Sequence, residues 1–169
     1  MPQNSTIRKA LSVDLPLLDR IKPVHEAGYF EHCFQGQAQG ARDILIVTLD
    51  GEDCGYGILN WKPRYALFKR LETPEIQDLN VLPDFRQRGA ATALIKYCED
   101  AARERGCEQI GIGVGLHAGF GPAQRLYVKL CYIPDGFGVV YDRDPVTPYE
   151  LRPVDDDLNL MMVKDLSAS

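Results

Sequence analysis

The chain has 169 residues, of which 45% are apolar and 25% are charged, and its formal net charge is -5. This size and composition are typical of one globular domain that needs neither disulfides nor metals to hold its core, so we expect a single domain over residues 1–169. The acidic balance excludes general binding to nucleic acid, and it mildly favours a cationic partner.

Cysteine and histidine spacing gives no sign of a metal site. The five cysteines are scattered, none of them forms a Cys-x-x-Cys pair, and the three histidines lack ligand spacing with them. We therefore expect reduced thiols, no metal and a cytoplasmic location. No apolar run approaches the roughly 20 residues that span a bilayer, and the N-terminus contains no apolar segment of signal-peptide length. We therefore expect no membrane partner.

The first third of the chain predicts a strand, two helical segments and a hairpin. Residues 5–10 read as a strand, and Ser12 is a candidate N-cap for a helix that carries Leu15, Leu18 and Ile21 on one face. Residues 25–40 mix aromatic side chains with glycines and predict a second helix followed by a mobile loop. Two apolar runs at 42–49 and 54–61 flank Asp50-Gly51, which is a strong hairpin signal.

The central stretch, residues 75–106, predicts a strand, a basic loop and a long amphipathic helix. The strand covers 74–82, and Gly106 is placed to end the helix. Gly89 lets the backbone turn sharply where the helix begins, and a helix N-terminus with unpaired amides attracts anions. The helix has one wide apolar stripe, formed by Ala90, Ala91, Leu94, Ile95, Tyr97, Cys98, Ala101 and Ala102.

The last third predicts one further parallel strand, a short helix and a strand-rich end. Residues 108–115 follow a helical crossover and are therefore expected to run parallel to the strand before it. A helix is predicted over 119–130, then a strand over 137–141, a proline-rich loop over 145–153 and a final strand over 158–164. This order predicts one mixed sheet with helices on both faces.

Two motifs in this order carry a resemblance to a known family. The first is V-x-P-x-x-R-x-x-G-x-A at 81–91, and the second is A-x-x-L-Y-x-K-x-x-Y at 123–132. With the preceding strand and the two helices, they resemble the GNAT superfamily of acyl-CoA-dependent N-acetyltransferases. The resemblance implies an α/β (α+β) fold with a mixed, mostly antiparallel sheet of six or seven strands that splays between strands 4 and 5.

The resemblance also implies acetyl-CoA as co-substrate, without a metal. In this family the pantetheine arm of coenzyme A lies in the gap of the splayed sheet, where the matching backbone contacts would come from Leu79, Asn80 and Val81. The pyrophosphate would be held by the loop amides, and arginine side chains could add charge. The matching loop residues are Arg86, Gln87, Arg88, Gly89, Ala90 and Ala91.

The resemblance places catalytic roles on three residues. Tyr127 matches a family tyrosine that protonates the departing thiolate, although an inward aromatic residue at helical spacing also fits simple core packing. Glu75 and Asp78 are the candidate bases, because an ammonium must lose a proton before it attacks. Strand alternation would put the two carboxylates on opposite faces, but an expected bulge would shift that parity.

Several features depart from the family pattern or have two interpretations. Phe120 stands where family members often carry an asparagine that helps to bind the cofactor, and Cys131 stands where they often carry glycine. The glycines of 111–115 are not a dinucleotide fingerprint, and we expect them to permit close approach of the cofactor or a helix. His117 could contact substrate or be an ordinary loop residue.

The function that follows is transfer of acetyl from acetyl-CoA to a primary amine by direct attack in a ternary complex. The alternative is a binding module that senses acyl-CoA without catalysis. The acceptor is a small-molecule amine or another amino-bearing molecule, and the segment 135–153 is a candidate element for a homodimer.

Overall fold

The computed structural model of the protein describes residues 4–167. It contains eight strands and five α-helices within that range, and short 3-10 turns precede three of the helices. In chain order the elements are β1 (Ser5–Lys9), α1 (Leu15–Ile21), α2 (Tyr29–Ala38), β2 (Arg42–Leu49), β3 (Glu52–Asn60), α3 (Ala66–Leu71), β4 (Glu75–Val81), α4 (Ala90–Glu104), β5 (Gln109–Gly115), α5 (Gly121–Lys129), β6 (Ile133–Tyr141), β7 (Asp144–Pro145) and β8 (Leu158–Asp165).

The strands form a mixed, mostly antiparallel sheet in the order β1-β2-β3-β4-β5-β8-β6-β7. The predicted fold class is therefore confirmed. The described sheet has eight strands rather than six or seven, because β6 continues into the two-residue strand β7. The final strand β8 pairs with both β5 and β6, so this strand lies inside the sheet and not at its edge.

Backbone contacts divide the chain into two compact units. The first runs to Trp61 and resumes over Ile76–Ala101, and the second comprises Lys62–Glu75 and the described chain from Ala102 onward. The split falls inside β4, directly after Glu75. The prediction of a single domain remains a prediction.

In the first unit, helices cover both faces of β2 and β3. Side chains of α1 and α2, among them Leu18 and Phe30, pack in one cluster with Ile44, Tyr56 and Ile58. Gly57 points to the opposite face, where a Cβ atom would lie 3.9 Å from Leu94 of α4. Alternation along these strands thus sends successive side chains to two helical layers.

The β2–β3 hairpin forms as predicted. Asp50 and Gly51 both have positive φ, at 50° and 88°, which is the backbone of a type I′ turn. The strands pair antiparallel from Arg42 opposite Asn60 to Leu49 opposite Glu52.

In the second unit, β5, β8 and β6 pair antiparallel around a smaller apolar cluster. Tyr65, Phe68, Val140 and Met161 form the buried part of that cluster. The unit includes α3, over residues 66–71, to which the sequence assigned no helix. A helix of six residues offers too few turns for periodicity to show.

Helix ends differ in detail from the sequence prediction. Ser12 does not cap α1, because it opens a 3-10 turn in which Asp14 accepts the Leu11 amide at 2.8 Å and pairs with Arg8. Gly106 ends α4 at φ 76°, as expected. Over the described residues, no helix is long and apolar enough to cross a bilayer, and no three His, Cys, Asp or Glu residues are grouped to hold a metal.

Candidate active site

The loop before α4 is shaped by left-handed backbone at two positions. Gln87 has φ 58° and Gly89 has φ 88°. A Cβ atom at Gly89 would meet nothing within 4 Å, so the glycine is required for its conformation and not for space. The first amide bonded inside the helix is that of Ala93, which donates to the Gly89 carbonyl at 2.9 Å. The amides of Ala90 and the next two residues precede that bond and point out of the helix start.

The two arginines of this loop are held at its edge. Arg86 donates from Nε to the Val81 carbonyl at 3.1 Å. The Arg88 guanidinium pairs with Asp50 of the hairpin turn at 3.1 Å, and it lies 5.0 Å from the centre of the Phe85 ring. Because the Arg88 and Asp50 side chains are 36% and 53% exposed, this ion pair is a weak tether.

Strand β4 contains the expected irregularity, at Asp78. Its φ is 51°, a left-handed value that aspartate and asparagine tolerate better than most side chains. The neighbouring hairpin accommodates this strand through Gly55, where a Cβ atom would lie 2.7 Å from the Asn80 carbonyl oxygen. Leu79, Asn80 and Val81 follow the irregularity in the same strand.

The Asp78 carboxylate is the centre of a polar cluster that the sequence did not reveal. We call Lys22, Tyr29, Tyr56, Asp78 and Asn80 the Asp78 cluster. Oδ1 accepts from Lys22 Nζ at 2.6 Å and from Asn80 Nδ2 at 2.8 Å. Oδ2 accepts from the Tyr29 hydroxyl at 2.6 Å and from the Tyr56 hydroxyl at 2.5 Å. Four donors, from the residue after α1 and from α2, β3 and β4, therefore converge on one carboxylate.

The electrostatics of the cluster favour an ionised Asp78 and neutral tyrosines. Burial alone raises the pKa of Asp78, but the hydrogen bonds from Lys22, Tyr29 and Tyr56 outweigh it, so the pKa lies below its ordinary value. Burial, and then the adjacent negative charge, raise the pKa of both tyrosines well above the usual range. A carboxylate with a lowered pKa is a weak base.

Glu75, the other candidate base, lies in the second unit in a buried ion pair. Its side chain has no solvent exposure, and its Oε1 lies 2.7 Å from Arg143 Nη2 and 2.9 Å from Arg143 Nε. Arg143 occupies the turn between β6 and β7 with φ 70°. No local pattern marks Arg143 as a partner of Glu75, because the two residues are 68 positions apart.

Tyr127 lies on α5 and is only 5% exposed. Burial raises the pKa of its hydroxyl to about 12, so the group stays protonated at neutral pH. Its ring is tilted against that of Tyr132 at 6.3 Å. No side chain among residues 4–167 forms a hydrogen bond with the Tyr127 hydroxyl, which leaves its proton available.

The glycines of β5 make room for aromatic rings. A Cβ atom at Gly111 would lie 2.1 Å from the Phe68 ring, and one at Gly115 would lie 2.2 Å from the Phe120 ring. Phe120, which departs from the family pattern, therefore packs flat on the strand. His117 accepts from the Gly119 amide at 3.1 Å and contacts Asp156 at 2.7 Å, which is the role of a turn residue.

Comparison with known proteins identifies the family. The model of the acetyltransferase (GNAT) family matches residues 6–131, which is most of the chain. The chain belongs to the GNAT acetyltransferase family. An uncharacterized N-acetyltransferase from Archaeoglobus fulgidus is 31% identical over 74 residues, covering 43% of this chain and 48% of that relative. The chain thus spans about half the length of this curated relative.

Solved structures of GNAT acetyltransferases share the fold. The ribosomal-protein-S18-alanine N-acetyltransferase from Escherichia coli matches with a TM-score of 0.68 and 17% identity, covering 98% of this chain and 96% of that one. A GNAT family acetyltransferase from Elizabethkingia anophelis with acetyl-CoA bound matches with a TM-score of 0.63 and 18% identity, covering 96% and 98%. At such identities the likeness concerns the fold alone.

Proposed function

We propose that this GNAT protein transfers an acetyl group from acetyl-CoA to a primary amine by direct attack in a ternary complex. The observation that carries the proposal is the turn at Gly89, whose φ of 88° opens the start of the 15-residue helix α4 within the region matched by the family. An N-terminus of this kind concentrates amide donors and a positive dipole end on one spot.

The residues of the loop fit the group they would hold. Bound acetyl-CoA would supply an activated acetyl thioester and a pyrophosphate. The amides of Ala90 and Ala91 would donate to pyrophosphate oxygens, and Arg88 would add charge once it leaves Asp50. The backbone of Leu79, Asn80 and Val81 would bind the pantetheine arm, as the family resemblance implies.

Tyr127 would hold the proton that the leaving sulfur takes. In direct transfer the amine nitrogen bonds to the acetyl carbon and the carbon–sulfur bond breaks. One proton leaves the nitrogen and one reaches the sulfur. A pKa of about 12 keeps the Tyr127 hydroxyl protonated until that moment.

The base is the open part of this mechanism. Asp78 accepts four hydrogen bonds, and Glu75 is fully buried against Arg143. Asp78 would have to give up a donor to accept a proton directly, and the Glu75 side chain has no solvent exposure. We therefore favour a relay through water to one of them, with Glu75 and Asp78 both retained as candidates.

The experiment is a thiol-release assay with acetyl-CoA over a broad panel of amines, for the wild type and for Tyr127→Phe. Loss of a general acid slows turnover by about 10² to 10⁴-fold. We expect such a loss in kcat, with little change in KM for acetyl-CoA or in the melting temperature. Equal kcat for the two proteins would remove Tyr127 from the mechanism.

A non-catalytic acyl-CoA sensor is the second candidate. The engagement of both carboxylates favours it, because a sensor needs no base. It predicts that coenzyme A binds and raises the melting temperature, while no amine gives thiol release above the Tyr127→Phe background. A homodimer and a cytoplasmic location remain predictions in either case.

A further inference from the structure

The Asp78 carboxylate has no hydrogen-bonding capacity to spare. A carboxylate accepts about four hydrogen bonds through its two oxygens. In the Asp78 cluster these positions are filled by Lys22 and Asn80 on Oδ1 and by Tyr29 and Tyr56 on Oδ2. A cationic acceptor could bind Asp78 only by displacing one of these donors.

Lys22 is the group in the cluster with unused donors. Its ammonium carries three N–H groups, and within residues 4–167 its one ion pair is with Asp78. The Lys22 side chain is 29% exposed, and its ammonium lies 4.8 Å from the centre of the Tyr29 ring. The charge is thus fixed in place at the surface of the cluster, with two N–H groups left to bind an anion.

We propose that Lys22 binds a carboxylate of the acceptor, so that the acceptor is an amino acid or another amine that carries a carboxylate. This inference rests on the proposed acetyl transfer and names its substrate class. In it Asp78 holds Lys22 and the two tyrosines in place, and it is not a subsite for an ammonium. The net charge of -5 alone favours a cationic acceptor, whereas the N–H groups of Lys22 that do not bond Asp78 favour an anion at this position.

The test uses matched pairs of acceptors that differ only in the carboxylate. The proteinogenic L-amino acids are assayed beside their carboxamides, with spermidine as the cationic reference. A charged hydrogen bond corresponds to about 10- to 100-fold in binding, so we expect wild-type kcat/KM to favour the acids by at least tenfold. Lys22→Met should remove that preference, by raising KM for the acids at least about tenfold more than KM for the carboxamides. Lys22→Arg should restore part of it.

Lys9→Met is the matched control. Lys9 forms an ion pair with Asp43 at 2.8 Å, in the same unit but outside the cluster. Its loss should leave the preference for acids unchanged. Thermal unfolding of each variant separates a loss of recognition from a loss of folded protein.

Three results would overturn the inference. First, if the wild type turns over carboxamides or spermidine as fast as the acids or faster, the inference is overturned and the proposed acetyl transfer is left intact. Lys22→Met lowering both members of each pair equally would show a structural role only. If no amine gives thiol release, the proposed function fails, and calorimetric titration of the amino acids into protein with coenzyme A decides. If the amino acids bind and Lys22→Met abolishes their binding, the role of Lys22 in carboxylate recognition is supported. If no amino acid binds the wild type, that role is refuted.

Discussion

Replacing Asp78 with asparagine tests whether this carboxylate organises the cluster around it. Asparagine keeps the shape of the side chain and also tolerates the left-handed backbone at φ 51°, so the change isolates the hydrogen bonds. The amide oxygen can accept from Tyr29 and Tyr56, but its NH₂ group then faces two donors, Lys22 and Asn80. Two of the four hydrogen bonds are lost and the charge of Lys22 is left unpaired.

The magnitude follows from burial. Removing one partner of a fully buried ion pair costs about 3–5 kcal/mol. Lys22 is 29% exposed and can turn to water, which reduces the cost, so we expect a loss of about 2–3 kcal/mol in the free energy of unfolding at pH 7. Asp84 is an exposed carboxylate in the turn before Arg86, so Asp84→Asn should change the free energy of unfolding by less than about 0.5 kcal/mol.

The assay is urea unfolding of both proteins as a function of pH. The pKa of Asp78 is lowered in the folded state, so its stabilisation is present above the ordinary aspartate pKa and is lost as the pH falls through the folded-state pKa. The wild type should therefore exceed Asp78→Asn by a constant amount from about pH 5 to 8, and the difference should shrink below about pH 4. A difference under about 0.5 kcal/mol at pH 7, or one that grows on acidification, would refute the reasoning.

Three further predictions concern the loop, a buried ion pair and a helix end. Gly89→Val should weaken coenzyme A binding by at least about 100-fold in calorimetry, because valine resists φ 88°. Gly106 has φ 76° at the far end of α4, so Gly106→Val should destabilise the protein about as much as Gly89→Val does but leave coenzyme A binding unchanged. Arg143→Met should remove the guanidinium that pairs with the buried Glu75 carboxylate, lowering the free energy of unfolding by about 3–5 kcal/mol in urea, and a loss under about 1 kcal/mol would contradict this. Cys131→Gly should raise the free energy of unfolding by about 0.5–1 kcal/mol, because the exposed Cys131 has φ 70°. The melting temperature should then rise by about 1–4 °C, and an unchanged or lower value would argue against strain at this residue.

The predictable parts of the fold are those that local chemistry determines. Asp50-Gly51 and Gly106 each require positive φ, so the hairpin and the end of α4 could be placed from the sequence alone. Cys131 shows the converse case. It adopts the left-handed conformation that glycine would favour, and the helix closes with Tyr132 donating to Tyr127 and Cys131 donating to Val128. The helix therefore ends as it would with glycine at this position, because the surrounding structure outweighs one unfavourable residue.

The parts of the site that escaped prediction depend on contacts between distant residues. Lys22 lies 56 residues from Asp78 in the sequence, and Tyr56 lies 22 residues from it. No local pattern marks either residue as a hydrogen-bond partner of Asp78. The aromatic run that contains Tyr29 predicts a helix, and nothing in it marks a partner for Asp78. A bulge is expected in β4, but the left-handed φ of Asp78 and the direction of its carboxylate, toward Lys22, α2 and β3, follow only from the folded backbone.

The contact between Phe120 and Gly115 has a consequence for how this sequence can change over time. A Cβ atom at Gly115 would lie 2.2 Å from the Phe120 ring, so no larger residue fits at 115 while the phenylalanine is present. A smaller residue at 120 would instead leave a void above the strand, at a cost below that of a fully buried ring, about 3–5 kcal/mol, because Phe120 is partly exposed. Either substitution alone is therefore unfavourable, whereas a larger residue at 115 together with a smaller one at 120 is tolerated. The two positions should therefore covary among descendants of this chain, and a return to asparagine at 120 should be accompanied by a larger residue at 115.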